Sequence, residues 1–196
     1  MRINLIIVKA MTKEINDTPT NRVRCFAHKQ NDLFMAEFEK ETDRAAAIVG
    51  AAILDSTLES VLNSFLIKSS HPKNDSLFDG PNAPLSSFGS KIDIAFRLGL
   101  ISEQMSKVLH IARRIRNSFA HDIVNCNFKN QQVISLIHEM TTLVFKNKRK
   151  YKEARSYFAE GVRGDFQMCL SRIVWWFWCG AFVKSIKPRK GRKFEF

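Results

Sequence analysis

The stretch at residues 98–121, LGLISEQMSKVLHIARRIRNSFAH, predicts one amphipathic helix on which the rest of the fold can pack. Its apolar residues recur at steps of three and four, the spacing that places side chains on one helix face. These residues are Val108, Ile111, Ala112, Ile115 and Phe119. Gly99 suits the end of a preceding helix, and Ser102 followed by Glu103 is a typical N-terminal cap. We therefore predict a helix over residues 103–120 that buries one face.

The same spacing of apolar residues recurs on both sides of this central helix. Four further segments share it: 32–71, 88–98, 133–145 and 165–186. The first is one long helix or two helices broken near Thr42-Asp43. Residues 72–87 and 125–130 are predicted loops, and the charge run at 146–150 is a predicted exposed linker. The sequence has no series of alternating strands, so we predict an all-α, single-domain helical bundle of about five helices with a basic C-terminal tail.

The length and composition fit this fold class. A chain of 196 residues suits one domain with one hydrophobic core. The 45% hydrophobic residues exclude wholesale disorder, and only eight Gly and five Pro exclude collagen-like or low-complexity classes. We divide the chain into an irregular leader at 1–30 with a short strand at 3–8, the helical bundle at 31–146, an aromatic helical segment at 147–186 and the basic tail at 187–196.

Basic residues are concentrated near the C-terminus. Residues 1–145 carry 17 Lys+Arg and 15 Asp+Glu, a net charge of +2, whereas residues 146–196 carry 14 and 4, a net charge of +10. This asymmetry indicates that the C-terminal part contacts nucleic acid or another anionic surface. The alternative is a tail that only keeps the protein in solution. The candidate nucleic-acid-binding residues are Lys184, Lys187, Arg189, Lys190, Arg192 and Lys193.

The cysteines point to neither a metal site nor a disulfide framework. Cys25, Cys126, Cys169 and Cys179 are widely separated and form no C-x-x-C pair. With the five histidines they show no zinc-ligand spacing, so we expect no metal and no cofactor. Scattered cysteines are typical of a reducing compartment, which favours a cytoplasmic protein. The longest apolar run, at 173–183, has about half the length of a bilayer-spanning helix, and we expect no membrane span.

The C-terminal end of the central helix is rich in polar groups. At about 100° per residue, His110, Arg114, Asn117 and His121 form one polar stripe beside the apolar face. A histidine can move the proton of a 2′-hydroxyl and an arginine can hold a phosphate, so this set suits metal-free RNA cleavage. The alternative is structural, because cations favour the negative end of a helix dipole and Asn117 can satisfy a loop carbonyl.

Two further arginines, Arg113 and Arg116, belong to the same candidate site. Arg116 lies about 140° from His121 on an ideal helix. The two residues can therefore share a site only if the helix frays near Ala120, or if a second protomer completes the site.

Three acidic residues are candidate supporting groups. Asp55 and Glu59 lie one turn apart on the first helix and are expected to pair with Arg114 or Arg116, in a structural or a catalytic role. Asp79 precedes Gly80-Pro81 in the loop, where it either lines a cleft beside the central helix or only caps the bundle.

Four consecutive aromatic residues, Trp175-Trp176-Phe177-Trp178, cannot all face one core. At least one is expected to be exposed or covered by a partner. The segment is a bundle or dimer interface, a platform on which bases stack, or a contact with a membrane surface.

The arrangement Arg116-Asn117-Ser118-Phe119-Ala120-His121 resembles the signature of HEPN domains. This resemblance implies a small helical bundle that acts as a metal-independent ribonuclease, with Arg116, Asn117 and His121 at a dimer cleft. Many HEPN-like proteins are instead non-catalytic dimerisation or nucleotide-binding modules, so the resemblance leaves both roles open.

A broader resemblance covers residues 40–145. Several blocks in the same order look like the mannitol operon repressor (MltR) family: Asp43-Arg44-Ala45 with residues 49–55, then residues 77–88, 98–101 and 115–121. The resemblance implies an all-helical regulator that damps expression of a sugar-alcohol operon without a dedicated DNA-reading motif. We expect such a regulator to be a homodimer that acts through a protein partner. The HEPN-like ribonuclease is the alternative, and a plain interaction module that binds nucleic acid nonspecifically is a third possibility.

The excess of positive charge at the C-terminus gives a testable expectation. We expect nucleic-acid binding that weakens steeply with added salt and is lost when the chain is truncated after Ile186, because lysine and arginine release condensed counterions from phosphates. Fluorescence anisotropy with labelled RNA at several salt concentrations measures this. Binding that survives the truncation unchanged would exclude the tail as the contact.

Overall fold

The computed structural model describes Phe38 and residues 40–70, 75–122 and 126–178. These residues form six helices and no strand, so the predicted all-α helical bundle is confirmed. The helices are α1 (Asp43–Phe65), α2 (Phe88–Arg97), α3 (Glu103–His121), α4 (Gln131–Val144), α5 (Lys148–Arg155) and α6 (Val162–Trp178). The predicted leader, the strand at 3–8 and the basic tail lie outside the described residues.

Polar caps determine where the helices begin. The side chains of Thr42, Ser87 and Ser102 each accept a hydrogen bond from the backbone N–H three residues later, at 3.1–3.2 Å. Such caps satisfy N–H groups that have no partner within the helix. Thr42 therefore caps α1 at the predicted break near Thr42-Asp43, and most of the helix predicted before that break lies outside the described residues. The first helix ends at Phe65 rather than near residue 71.

The helix α3 lies at the centre of the bundle and packs against α1, α2 and α4. Its predicted apolar face is buried, with Ile115 and Phe119 fully inaccessible to solvent. Beyond α3, a chain of aromatic contacts extends the core. The rings of Phe119 and Phe128 are 5.1 Å apart, those of Phe128 and Phe166 are 5.5 Å apart, and those of Phe166 and Phe38 are 6.1 Å apart. These rings join α3, the α3–α4 connection and α6 in one core.

An ion pair joins α6 to the start of α1. Arg163 Nη1 lies 2.7 Å from Asp43 Oδ1, and Arg163 Nη2 donates to the carbonyl oxygens of Phe38 and Glu41 at 3.0 and 2.6 Å. The other oxygen of Asp43, Oδ2, accepts the backbone N–H of Phe128 at 3.3 Å. One carboxylate therefore connects α1, α6 and the α3–α4 connection.

The charge run at 146–150 is not a linker, and this prediction was wrong. Asn147 caps a short helix, α5, by accepting the N–H groups of Arg149 and Lys150 at 2.8 and 3.3 Å. The helix is also held to α6, because Tyr151 and Arg155 both reach Asp165. The described residues consequently contain six helices where about five were expected.

The aromatic run at the end of α6 faces two environments. Phe177 is buried in the core, whereas Trp175, Trp176 and Trp178 are half-buried. The tetrad thus divides as its helical spacing requires. The Arg172 guanidinium lies 5.2 Å from the centroid of the Trp175 ring, and Trp176 and Trp178 pack against the core.

Among the described helices, only α1 is long and apolar enough to cross a membrane, judged by length and composition. Half of its most apolar window is buried inside the bundle. A core helix passes the same test, so the finding is weak evidence for a span, and the expectation of no membrane span stays a prediction.

Asp55 and Glu59 pair with Lys91 of α2, rather than with Arg114 or Arg116 as expected. Lys91 Nζ lies 2.9 Å from Asp55 Oδ1 and donates to Glu59 Oε2 at 2.6 Å. The lysine side chain is only 5% exposed. Burial lowers the pKa of Lys91, but the two carboxylates outweigh this effect and raise the pKa above its ordinary value of 10.5. The two acids therefore hold α1 against α2.

Replacing Lys91 tests this contact. The change Lys91→Met keeps the apolar stem but leaves two carboxylates without their cation, so we expect the free energy of unfolding to fall by about 2 kcal/mol. Because the pKa of Lys91 is raised in the folded state, its contribution is complete below pH 10.5 and is lost as the pH rises above that value. Urea denaturation measures both effects. Lys107→Met, which removes an exposed ion pair with Glu103, is the control and should leave stability unchanged. Equal stability of the two variants would contradict a structural role for Lys91.

Candidate functional site

An open cleft of about 680 Å³ lies between the C-terminal half of α3 and the N-terminal half of α4. Its lining residues are Arg114, Asn117, Ser118 and His121 from α3 with Gln132 and Leu136 from α4. Five of these six residues carry a polar or ionisable side chain, and Leu136 contributes an apolar surface. The cleft combines a guanidinium, two amides, a hydroxyl and an imidazole.

Helical spacing explains how α3 supplies this set. Arg114, Asn117 and His121 follow one another at steps of three and four, so they share one side of the helix. Ile115 and Phe119 are buried on another side and fix the rotation of α3 in the bundle. The polar stripe that the sequence predicts is therefore present along these two turns.

His110, the first member of the predicted stripe, has a different environment. Its Nε2 lies 3.0 Å from Asp93 Oδ1 on α2, and it does not line the cleft. The reason is that α2 packs against the N-terminal half of α3 and ends before the cleft. The stripe therefore divides into a structural part and an open part.

Arg116 reaches the rim of the cleft through Asn117. The guanidinium is exposed, and its Nη1 donates to Asn117 Oδ1 at 3.0 Å. The helix stays regular through His121, where Asp122 N–H donates to Ser118 O at 3.1 Å. No fraying near Ala120 therefore brings Arg116 beside His121, and the two side chains leave α3 in different directions.

The end of α3 is fixed by the first turn of α1. Arg44 Nη2 donates to the backbone oxygen of Asp122 at 2.7 Å, and Ser118 Oγ donates to Arg114 O at 3.2 Å. Carbonyl groups at a helix C-terminus otherwise have no partner within the helix. This contact holds the end of α3, next to His121, against the first turn of α1.

Two other candidate residues lie away from the cleft. The Arg113 guanidinium packs against Gly89 at the start of α2, and its Nε is buried. Asp79 accepts the backbone N–H of Asp75 at 2.8 Å and closes a turn in the α1–α2 loop. Neither residue lines the cleft, and Asp79 makes the kind of turn contact that its capping alternative predicts.

Sequence analysis missed three of the lining residues: Ser118, Gln132 and Leu136. Ser118 follows Arg114 by one helical turn, so the spacing could have included it. Gln132 and Leu136 enter the cleft only because α4 packs beside α3, and this contact leaves no local signal in the sequence.

The buried thiol and the acidic residues offer no second centre. Burial raises the pKa of Cys169 to about 12, so it stays a neutral core residue. Within the described ranges, no three His, Cys, Asp or Glu side chains cluster closely enough to hold a metal ion. The predicted tail residues Lys184, Lys187, Arg189, Lys190, Arg192 and Lys193 lie outside the described part of the chain.

Comparison of the chain with protein-family models, with curated proteins and with solved structures gives no match. The proposals below therefore depend on the geometry and chemistry of the cleft, together with the two resemblances seen in the sequence.

The donors of the cleft predict that it binds an oxyanion. Inorganic phosphate should shift the imidazole NMR signals of His121, because Arg114 and the amides of Asn117 and Gln132 can donate to phosphate oxygens. His138 is exposed on α4 outside the cleft and serves as the internal control. Arg114→Gln should raise the phosphate concentration that gives half of the maximal His121 shift about ten-fold. Equal shifts at both histidines would show only a general ionic effect.

Proposed function

We propose that this chain is a metal-independent endoribonuclease that binds RNA in the α3–α4 cleft. One observation carries the proposal: His121, Asn117 and Arg114 line the same open cleft, and Asn117 holds the Arg116 guanidinium at its rim. An imidazole and guanidinium groups are the chemical groups that metal-free phosphodiester cleavage needs. The resemblance to HEPN domains implies the same kind of site for Arg116, Asn117 and His121; it does not include Arg114.

In the proposed reaction the RNA supplies its own nucleophile. His121 accepts the proton of a 2′-hydroxyl, and this oxygen forms a bond to the adjacent phosphorus. The bond between phosphorus and the 5′-oxygen breaks, and that oxygen takes up the proton that His121 received from the 2′-hydroxyl. The products are a 2′,3′-cyclic phosphate and a free 5′-hydroxyl. Arg114 or Arg116 stabilises the negative charge that develops on the phosphoryl oxygens.

The proposed active unit is a homodimer. In one protomer, Arg116 stays at the rim of the cleft and lies about 140° around α3 from His121, because the helix is regular through its last turn. Two α3 ends related by a two-fold axis bring the Arg116 side chain of one copy toward the cleft of the other. An open cleft at the surface leaves room for such a second copy.

Cleavage of labelled single-stranded RNA in the presence of EDTA tests the proposal. We expect the wild-type protein to cut the RNA. The rate of His121→Ala should be lower by about 100-fold or a larger factor, because the proton-transfer group is lost. His138→Ala changes an exposed histidine on the same helix pair and should cut like the wild type. Equal cleavage by wild type and His121→Ala would refute the proposed active site.

A mixture of two inactive variants tests the composite site. If Arg116 and His121 act from different protomers, a mixed dimer of Arg116→Ala and His121→Ala chains contains one intact site. The mixture should then recover up to about a quarter of wild-type activity, because half of the randomly paired dimers are mixed and each has one of two sites. Variants that remain inactive together would place both residues in one protomer's site.

A second candidate function is the regulator that the MltR resemblance implies. The N-terminal turn of α3, where a recognition helix would read bases, begins with Glu103, and Lys107 is paired with that acid at 2.6 Å. This acidic start favours a regulator that acts through a protein partner over one that reads DNA. Absence of cleavage by both wild type and His121→Ala would favour this second function, and co-purification of a partner from cells would then identify it.

A further inference from the structure

The helix α5 presents a basic surface that the proposed reaction does not use. We define the α5 basic surface as the exposed side chains of Lys146, Lys148, Arg149, Lys150 and Lys152. The helix itself contains no buried residue. The charge asymmetry of residues 146–196 predicted nucleic-acid contact for the whole C-terminal part, but the candidate residues named there all lie in the tail. The α5 basic surface therefore adds residues that, apart from Lys152, had been given only the role of an exposed linker.

Most of this positive charge is not neutralised within the described residues. Glu153 is the one acid of α5, and it pairs with Arg149 at 2.9 Å. The four lysines of the surface form no ion pair with the part of the chain that the structure describes. By contrast, Lys91 and Lys107 are both paired with carboxylates. The α5 basic surface is thus free to bind an external polyanion.

The apolar side of α5 is already occupied by the bundle. The Tyr151 ring packs edge-on against Phe145 with 6.0 Å between centroids, and its hydroxyl donates to Asp165 Oδ1 at 3.1 Å. Arg155 Nε lies 2.9 Å from the same oxygen. An amphipathic helix that lies in a membrane surface inserts a free apolar face, and α5 presents none. These contacts favour a nucleic acid over an anionic lipid surface.

An exposed aromatic ring lies next to these cations. Tyr157 follows α5 by two residues, is 85% exposed, and donates its backbone N–H to Ala154 O at 3.2 Å. Proteins that bind single-stranded nucleic acids combine cations for the phosphates with aromatic rings on which unpaired bases stack. Tyr157 and the α5 basic surface supply both parts.

The surface and the cleft lie at opposite ends of α4. The cleft uses Gln132 near the start of α4, whereas α5 follows the last turn, where Gln104 of α3 donates to Leu143 O. A helix of 14 residues separates the two places by about 20 Å. We propose that the α5 basic surface and Tyr157 form a docking site for single-stranded RNA, distinct from the cleft. The choice of RNA as the polyanion rests on the proposed function.

The test compares two triple variants that lose the same charge. One is Lys148→Gln with Lys150→Gln and Lys152→Gln; the matched control changes Lys68, Arg97 and Lys107, which are exposed on other elements, to Gln. Both are made in full-length His121→Ala protein, so that no RNA is cut during the measurement. Anisotropy of a fluorescein-labelled single-stranded RNA gives the dissociation constant at several salt concentrations.

We expect the α5 variant to lower the slope of log affinity against log salt by about 2, because each phosphate contact on a single strand contributes about 0.7. The control variant should keep the wild-type slope. Tyr157→Ala should weaken binding about five-fold or more through the loss of one stacked base. An unchanged slope in the α5 variant, or an equal loss in the control, would overturn the proposal.

Two further outcomes separate this site from the proposed function. RNA binding that depends on α5, together with no cleavage by the wild type, would refute the ribonuclease and leave the docking site standing. Cleavage that depends on His121, with RNA binding indifferent to α5, would refute the docking site alone. Sedimentation with phosphatidylserine vesicles that depends on α5, in the absence of RNA binding, would assign the surface to a membrane and overturn the proposal.

Discussion

Asp43 lies where three parts of the chain meet, and its two carboxylate oxygens bind two of them. Oδ1 holds Arg163 of α6, and Oδ2 accepts the N–H of Phe128 in the connection between α3 and α4. Phe128 lies three residues before α4, and the first half of α4 supplies Gln132 and Leu136 to the cleft. Arg44, the next residue, holds the last turn of α3 through Asp122. The geometry of the cleft therefore depends on the first turn of α1.

Local pattern was enough to predict the helical class and the main helices, because caps and apolar spacing are properties of neighbouring residues. Ser102 was recognised as the cap of a helix from the sequence alone, and Thr42 lay at the break of one of two alternatives for the first segment. Contacts between residues that are far apart in the sequence could not be predicted in this way. Lys91 is 32 residues from Glu59, and the sequence around either residue does not indicate that the two pair. The short helix α5 was missed for the same reason, since Asp165 holds it from a separate element.

The candidate site was predicted in part from the sequence. Residues that share one helix could be predicted, and residues supplied by another helix could not. The α3 residues of the cleft share a helix face, so their spacing revealed them, whereas Gln132 came from the packing of α4. The resemblance to the MltR family includes Asp43, Gly99 and the end of α3, and in the structure these positions begin, terminate or hold helices. Much of that resemblance therefore coincides with the framework that supports the cleft. A regulator and a ribonuclease can share such a framework.

The positive charges of α5 oppose the formation of this helix. Lys148, Arg149 and Lys150 occupy its first turn, where the positive end of the helix dipole disfavours cations, and Lys148 and Lys152 repel each other across one turn. Asn147 and the contacts to Asp165 offset these effects. A polyanion that neutralises the lysines also removes the repulsion between them. A polyanion at the proposed docking site would therefore stabilise the helical form of α5.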